Sequence, residues 1–529
     1  MLSPQAMLAR CTTAALQGLE AQPVTVEVDL GPGLPALTLV GLADAAVLEA
    51  RERVRSALRH SGCRVPQGRV VVNLAPADLR KEGPGFDLPV ALGLLLASGQ
   101  LDPASLAGVW SAGELGLDGT LRPIRGMLSI ALRARAGGAR ALLLPAANGS
   151  EAALVEGLAI WPAASLRELL GRLATDGGAW PTPSAPAPGQ VAGGSGGEGT
   201  DLADIQGQVH GRRALEIAAA GGHHLLLMGP PGSGKTMLAR RLASLLPPLN
   251  RTAALELTRI HSVAGQLPAA GQLLQQRPFR APHHSCTGAA LIGGGANPRP
   301  GELALAHEGV LFLDELAEFR PGVLDLLRQP LEEGEIRLQR ARQRLRFPCA
   351  ITLVAASNPC RCGWHGDPER ACTCTEAERR RYWGRLSGPL IDRIDLQVVM
   401  RRAQAHELAA PYKAASRSAR AEAGAPESSA VVAERVDRAH RLMAQRNPGG
   451  VCNGRLPLAA LQRLAKPTVP ALKLWQLAIG QRQISARGGE QLLRVARTIC
   501  DLNGESEIGE AAIAEALLYR SFDRQSGEP

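Results

Sequence analysis

His224 to Met228 (His-Leu-Leu-Leu-Met) runs directly into Gly229-Pro230-Pro231-Gly232-Ser233-Gly234-Lys235-Thr236, and Met237 to Leu246 follow at helical spacing. The turn fits G-x-x-x-x-G-K-[ST], and its neighbours supply the strand and helix that this motif requires. Glycines let backbone N–H groups wrap phosphates, and the helix N-terminus adds a favourable dipole. Lys235 is placed for the β- and γ-phosphates and the Thr236 hydroxyl for Mg²⁺. The stretch predicts a nucleotide-binding α/β domain with a parallel sheet.

Further strands of that sheet carry the rest of the chemistry. Gly309-Val-Leu-Phe-Leu-Asp314-Glu315 is an apolar strand ending in two carboxylates. At this distance from the phosphate loop, Asp314 suits the Mg²⁺ shell and Glu315 suits polarising an attacking water, which points to hydrolysis. Ile351 to Ala356 reads as a third strand, ending in Ser357-Asn358-Pro359, with Asn358 placed to hydrogen-bond the same water. Cys360-Arg-Cys362 and, nine residues on, Cys372-Thr-Cys374 form two close thiol pairs suited to tetrahedral Zn²⁺. The one-residue spacing is tighter than usual, and four reduced surface thiols are the alternative. His365 is a spare ligand.

Between the Asp-Glu and Asn strands, Gly334 to Pro348 alternates in two short runs and reads as a hairpin bearing Arg337, Arg340, Arg342, Arg344 and Arg346. Arginines grip phosphates bidentately, so DNA is one partner for this element; a solvated hairpin or inter-subunit salt bridges are the other readings. Arg393 follows the Asn strand, where it could serve a neighbouring subunit's nucleotide, and Arg487 opens a helix from which it could reach back to the phosphate; spacing alone equally fits solvated arginines.

The 529 residues suggest about three domains. Thr175 to Thr200 is rich in Pro, Gly, Ala and Ser and reads as a flexible linker, and 406–430 reads as a weaker one. The blocks are therefore 1–174, mixed strand and helix; 201–405, the nucleotide-binding core; and 431–529, helical. The net charge is +10, with 16 basic and 17 acidic residues in 1–200 but 43 basic and 32 acidic beyond. A basic excess fits nucleic-acid binding but equally fits an ordinary basic protein. Only 15 residues are aromatic, so base stacking is not the leading mode. No apolar run reaches the length of a membrane span, and the N-terminus lacks a signal-peptide pattern. Ten cysteines, four of them clustered, fit a cytoplasmic protein rather than a disulfide scaffold.

The chain resembles the ComM/YifB family of magnesium-chelatase-like AAA+ ATPases. The resemblance is carried by Arg277-Pro-Phe-Arg-Ala-Pro-His-His-Ser285, Leu291-Ile-Gly-Gly-Gly295, Pro300 to Glu315, Arg328-Gln-Pro-Leu-Glu332, Ser357 to Gly363 and Leu493 to Ile499. It implies an α/β P-loop AAA+ module with a helical lid, assembled as a homo-hexamer. Asn358 becomes sensor 1, Arg393 a trans-acting arginine finger, Arg487 sensor 2, and the arginine hairpin a pre-sensor-1 hairpin facing the pore. His283 to Gly295 becomes the helix-2 insertion.

The first block resembles the Lon protease domain, a ribosomal S5-type α+β fold, through Lys81 to Val90, Gly113-Glu-Leu and Arg122 to Met127. Where the Lon pattern has its nucleophilic Ser, this chain has Gly85, and about where it has its Lys, Leu128. A Ser–Lys mechanism needs a hydroxyl and an amine, so no peptidase activity is expected. The ComM/YifB resemblance implies an ATP- and Mg²⁺-dependent DNA branch-migration helicase of natural transformation and recombination, with branched, single- or double-stranded DNA and a recombinase as partners; Zn²⁺, read from the cysteines, would be structural. A protein-remodelling or metal-chelatase motor on a polypeptide is the alternative.

Overall fold

A two-residue turn at Gly18 and Leu19 starts the first sheet, with Gly18 in the left-handed region (φ +65°). It joins β1 (Ala9–Gln17) to β2 (Glu20–Gly31), which pair antiparallel from Ala9↔Val28 to Gln17↔Glu20. Val24, Val26 and Val28 are wholly buried on one face, the period of two that a half-buried strand requires. The other strands are β3 (Ala36–Val40), β4 (Arg69–Ala75), β5 (Val109–Ser111), β6 (Ala141–Pro145) and β7 (Ala159–Ala163). The sheet order is β3-β4-β2-β1-β5-β6-β7. The apolar run from Leu88 forms the helix Asp87–Ala97, all eleven residues buried. A Cβ on its Gly93 would stand 2.7 Å from Val28 Cγ2, so helix and sheet approach as closely as glycine allows.

The computed structural model describes residues 8–175, 180–183, 201–267, 271–295, 298–340, 343–407, 409 and 426–520. Contacts divide the chain into two units. The first takes Met1–Ala192 together with two pieces of the central block, Arg251–Leu274 and Leu338–Phe347. The helix Arg251–Ala264 is held there by side chains distant in sequence. Arg259 donates to the Leu19 carbonyl (Nη2, 2.7 Å) and to Ser129 Oγ (2.9 Å), and Ser262 Oγ donates to the buried Glu151 carboxylate. Leu345, on the returning strand of the hairpin, lies against Gly18, 3.3 Å from where a Cβ would be built. Gly85 faces Ile124, and Leu128 is wholly buried with its N–H donating to Glu151 (2.8 Å).

The stretch read as a flexible linker is not wholly loose. Trp180 stacks on Trp161 with ring centroids 4.9 Å apart and planes within 4°, and Arg140 and Arg172 cover the two rings. Aromatic contact fixes this part of a Pro/Gly/Ala-rich stretch whose composition alone predicts a coil. Trp180→Ala is expected to cost about 1 kcal/mol of the first unit's stability, read as a lowered denaturant midpoint, with faster proteolysis after Ala174.

The second unit is built on five parallel strands: β8 (Leu225–Met228), β9 (Phe279–Arg280), β10 (Val310–Leu313), β13 (Thr352–Ser357) and β14 (Leu396–Val399), in the order β9-β10-β13-β8-β14. Between β10 and β13 lies a separate ribbon, β11 (Glu335–Arg340) with β12 (Gln343–Pro348). β8 sits between β13 and β14 and is buried throughout, as an apolar central strand of a parallel sheet must be. The C-terminal block is helical as predicted, with helices Ser429–Arg446, Leu458–Leu464, Val469–Arg482, Ala486–Asn503 and Glu510–Leu518. It forms no separate unit: Val436, Met443, Val495 and Ile499 share one core with Leu215, Leu227 and Leu238. Ion pairs Arg435–Glu216 (2.6 Å) and Arg213–Glu515 (2.8 Å) join the same elements.

Candidate active site

Parallel strands deliver loops at their C-terminal ends to one edge of the sheet. β8 ends at Met228 in register with Ser357 of β13, and the Gly229 N–H donates to the Ser357 carbonyl (3.2 Å). A Cβ on Gly229 would collide with the Met400 carbonyl, so the loop's first residue must be glycine. Gly234 adopts φ +87° and caps the helix Lys235–Leu245.

Four of the predicted residues meet here. Lys235 Nζ donates to the carbonyls of Gly229 (2.7 Å) and Pro230 (3.0 Å) and to Asn358 Oδ1 (3.1 Å). Burial lowers the Lys235 ammonium to about 8, opposed by the charges of Asp314 and Glu315. Thr236 Oγ1 donates to Asp314 Oδ2 (2.9 Å). A hydroxyl and a carboxylate oxygen side by side below a phosphate loop match the donors Mg²⁺ takes, since it keeps several waters and phosphate oxygens beside one or two protein oxygens. Glu315 follows at φ +53°, its carboxylate half exposed. Glu315 Oε2 lies 3.3 Å from His284 Nδ1. The His284 ring is edge-on to buried Phe319 and packs against His283. Sequence reading missed His284; the signal was a histidine doublet just after the strand that borders β10. It also missed Gln208, which donates to the Ser233 carbonyl of the loop (3.2 Å).

Arg393 and Arg487 are elsewhere. Both donate to Glu332, at 2.8 Å and 3.3 Å, and both line a cavity of about 650 Å³ that none of Gly229 to Thr236 touches. The expectation that Arg487 reaches back to this protomer's own phosphate loop is therefore not what the structure shows. Its helix, Ala486–Asn503, carries it in the first turn to the base of the ribbon, where Glu332 competes for it.

The four cysteines converge beside the loop. Cys360, Cys362 and Cys372 sulfurs are 3.3, 3.5 and 3.6 Å apart, and all four ligand atoms lie within 4.8 Å of one another. Those separations are too long for a disulfide and close to the edge of a tetrahedron with Zn–S of about 2.3 Å. Burial raises the Cys360 thiol to about 12. At Cys362 desolvation is outweighed by hydrogen bonds from the Trp364 and Thr373 N–H groups together with those from Cys360 and Cys372, which lower the thiol to about 5. The residues fit zinc; His365 is not in the cluster among the described residues. Gly363 packs so closely that a Cβ there would stand 2.6 Å from Pro231 Cδ, which places the cysteine loop against the phosphate loop.

The ribbon has two faces. Ile336, Leu345 and Phe347 are buried, whereas Arg337, Arg344 and Arg346 are exposed. Arg337 is already paired with Glu333 (3.3 Å) and Glu335. The Arg340 side chain and Arg342 lie outside the described residues.

Family models match three stretches: magnesium chelatase, subunit ChlI, at 201–408; subunit ChlI of Mg-chelatase at 26–148; and the ChlI C-terminal region at 426–520. The chain is 41% identical to the competence protein ComM of Haemophilus influenzae over 98% of both chains, and 41% identical to YifB of Salmonella typhimurium over 98% of both. The chain belongs to the ComM/YifB family of magnesium-chelatase-like AAA+ proteins. In this ComM/YifB chain the first block is also 30% identical, over 148 residues, to Lon protease 2 of Bacillus subtilis, a stretch that covers 26% of each protein. ChlI models cover the first block as well as the core. The first block therefore does not separate the chain from chelatase subunits; the likeness to ComM over the full length carries that distinction.

Proposed function

We propose that this ComM/YifB protein is an ATP-driven motor on DNA, a branch-migration helicase that works as a homo-hexamer in the cytoplasm and promotes integration of incoming strands, with a recombinase as a further partner. The observation that carries the reading is that Lys235 meets Asn358 and Thr236 meets Asp314 at the ends of adjacent parallel strands, in a chain that also bears a ribbon with Arg344 and Arg346 exposed. The full-length likeness to a protein named for competence supports the pathway. Among the described residues no helix is long and apolar enough to cross a membrane.

The chemistry is in-line attack of water on the γ-phosphate of ATP. Glu315 orients the water, held in place by His284; Asn358 fixes Lys235 and the water; and Lys235 neutralises charge that develops on the phosphate oxygens. Thr236 and Asp314 hold Mg²⁺, which supplies further charge neutralisation when bound. Arg393 and Arg487 of one protomer face the nucleotide of the next. The first unit has a hydrocarbon or no side chain at the two dyad positions and serves in ring stabilisation or DNA engagement, not peptide cleavage.

A chelatase-type or protein-remodelling motor is the second reading, favoured by the ChlI models over all three blocks. The two readings separate on DNA. Forked or four-way DNA should stimulate ATPase activity, with apparent affinity that falls steeply as salt rises from 50 to 200 mM, as phosphate contacts require (about a thousandfold for six of them). Replacing Arg344 and Arg346 together by Ala should weaken DNA affinity at least tenfold and flatten the salt slope by about two, while ATP binding is retained. ATPase activity that no DNA structure alters rejects the helicase and favours the polypeptide motor.

A further inference from the structure

Glu332 is shared by two cations from distant parts of the chain. Its Oε2 accepts from Arg393 Nη2 at 2.8 Å, and Arg487 Nη1 lies 3.3 Å from both carboxylate oxygens. Arg393 is held at each guanidinium nitrogen, with Nε to the Arg328 carbonyl (3.1 Å), Nη1 to the Pro389 carbonyl (2.6 Å) and Nη2 to Glu332, which leaves two of its five N–H groups for a further anion. Its side chain is only 17% exposed. Arg487, by contrast, sits in the first turn of Ala486–Asn503, where a cation opposes the helix dipole. Something other than helix stability places it there, and Glu332 is the anion that it meets. The other arginines of the cavity have separate partners: Arg455 pairs with Glu308 (3.5 Å), and Arg494 pairs with Glu490 (3.5 Å) and donates to the Leu456 carbonyl. The Glu332 carboxyl lies below the usual carboxylate range, first through the Arg393 hydrogen bond, with desolvation opposing and Arg487 adding to it.

We infer that Glu332 is a positioning residue that binds Arg393 and Arg487 into one rigid pair facing the cavity, so that the two guanidinium groups meet the phosphate of a neighbouring copy's nucleotide together. Two like charges this close repel, and a carboxylate between them offsets the repulsion and sets their spacing. Arginine's planar fork makes that spacing matter, because bidentate contact with a phosphate needs both groups oriented in advance. Glu332 touches no reacting atom, so its effect passes entirely through the arginines. The inference rests on the reading of the chain as an ATPase whose subunits complete one another's sites, and it does not depend on DNA.

Steady-state turnover tests it. Glu332→Gln should lower kcat about tenfold with the KM for ATP within about twofold, because the amide keeps the shape and loses the charge that pairs the cations. Glu332→Asp, which keeps the charge, should recover most of kcat. In an Arg393→Ala, Arg487→Ala background, Glu332→Gln should add less than twofold, since a residue acting through the pair has nothing left to position. A kcat in Glu332→Gln within twofold of wild type overturns the inference, as does an equal loss in Glu332→Asp or an undiminished effect in the double-Ala background. A second arm needs no turnover: labelling with phenylglyoxal, read residue by residue by mass spectrometry, should rise severalfold at both Arg393 and Arg487 in Glu332→Gln. Unchanged labelling at either one also overturns it. Absence of ATPase activity in the wild type would reject the motor reading, and the labelling would still decide whether Glu332 pairs the arginines.

Discussion

Glu315→Gln should reduce ATP turnover by at least a hundredfold while the protein still binds ATP with Mg²⁺. The amide keeps the volume and the left-handed backbone position of Glu315, so the Thr236–Asp314 contact and the Lys235 contacts are undisturbed. What is lost is the negative charge that polarises the attacking water, and removing a group that acts mainly in the transition state lowers kcat rather than affinity. Isothermal titration with ATP and a phosphate-release assay check both halves, with the affinity expected within about twofold of wild type. Lys235→Ala is the contrasting variant. Its ammonium reaches two loop carbonyls and Asn358, the place where phosphate oxygens compete for it, so affinity and turnover should fall together. If Glu315→Gln retained more than a tenth of wild-type turnover, the water would be oriented by another group, and His284 is the neighbour to examine next.

The candidate hydrolytic centre was legible because its loops begin directly at the ends of apolar strands. Gly229, Asp314 and Asn358 follow β8, β10 and β13 directly, and a parallel sheet brings such strand ends together whatever the loops between them do. The cysteines were legible for the same local reason: two pairs on one short loop. Glu332 was not, because its meaning depends on packing among residues 332, 393 and 487, and no periodicity in the sequence links them. The helix Arg251–Ala264 reads as part of the core by chain order, yet Arg259 reaches Leu19, 240 residues away, and the helix joins the first unit. Trp180 shows the opposite limit. Composition averages over a window, and one aromatic ring with a partner in reach outweighs the proline and glycine around it.

Removal of zinc should disturb both the stability of the second unit and nucleotide binding. Purified protein is expected to hold zinc equimolar with chain by elemental analysis, and Cys360→Ser or Cys372→Ser to lose it. Three of the sulfurs stand 3.3–3.6 Å apart and all four ligand atoms lie within 4.8 Å; as thiolates they would repel unless a cation lay among them, and structural zinc contributes on the order of 10 kcal/mol in small domains. Here the loss is smaller, because its neighbours hold the loop without metal. Trp383 Nε1 donates to the Pro359 carbonyl (2.8 Å), and Thr375 and Glu378 cap the helix Glu376–Trp383 reciprocally. A drop in Tm of roughly 3–5 °C is therefore expected, equivalent to about 2–3 kcal/mol in a unit of this size. The functional effect follows from Gly363, which packs on Pro231 of the phosphate loop, and from Asn358, only two residues before Cys360. Once the cysteines spread apart, the wall behind Pro231 recedes and Asn358 no longer holds Lys235, so the KM for ATP should rise at least severalfold. Stripping with a chelator and restoring zinc should reverse both changes in the wild type and neither in Cys360→Ser. Full stability and an unchanged KM in metal-free protein would mean that the thiols pack as neutral groups and the loop supports the site through Trp383 and Gly363 alone.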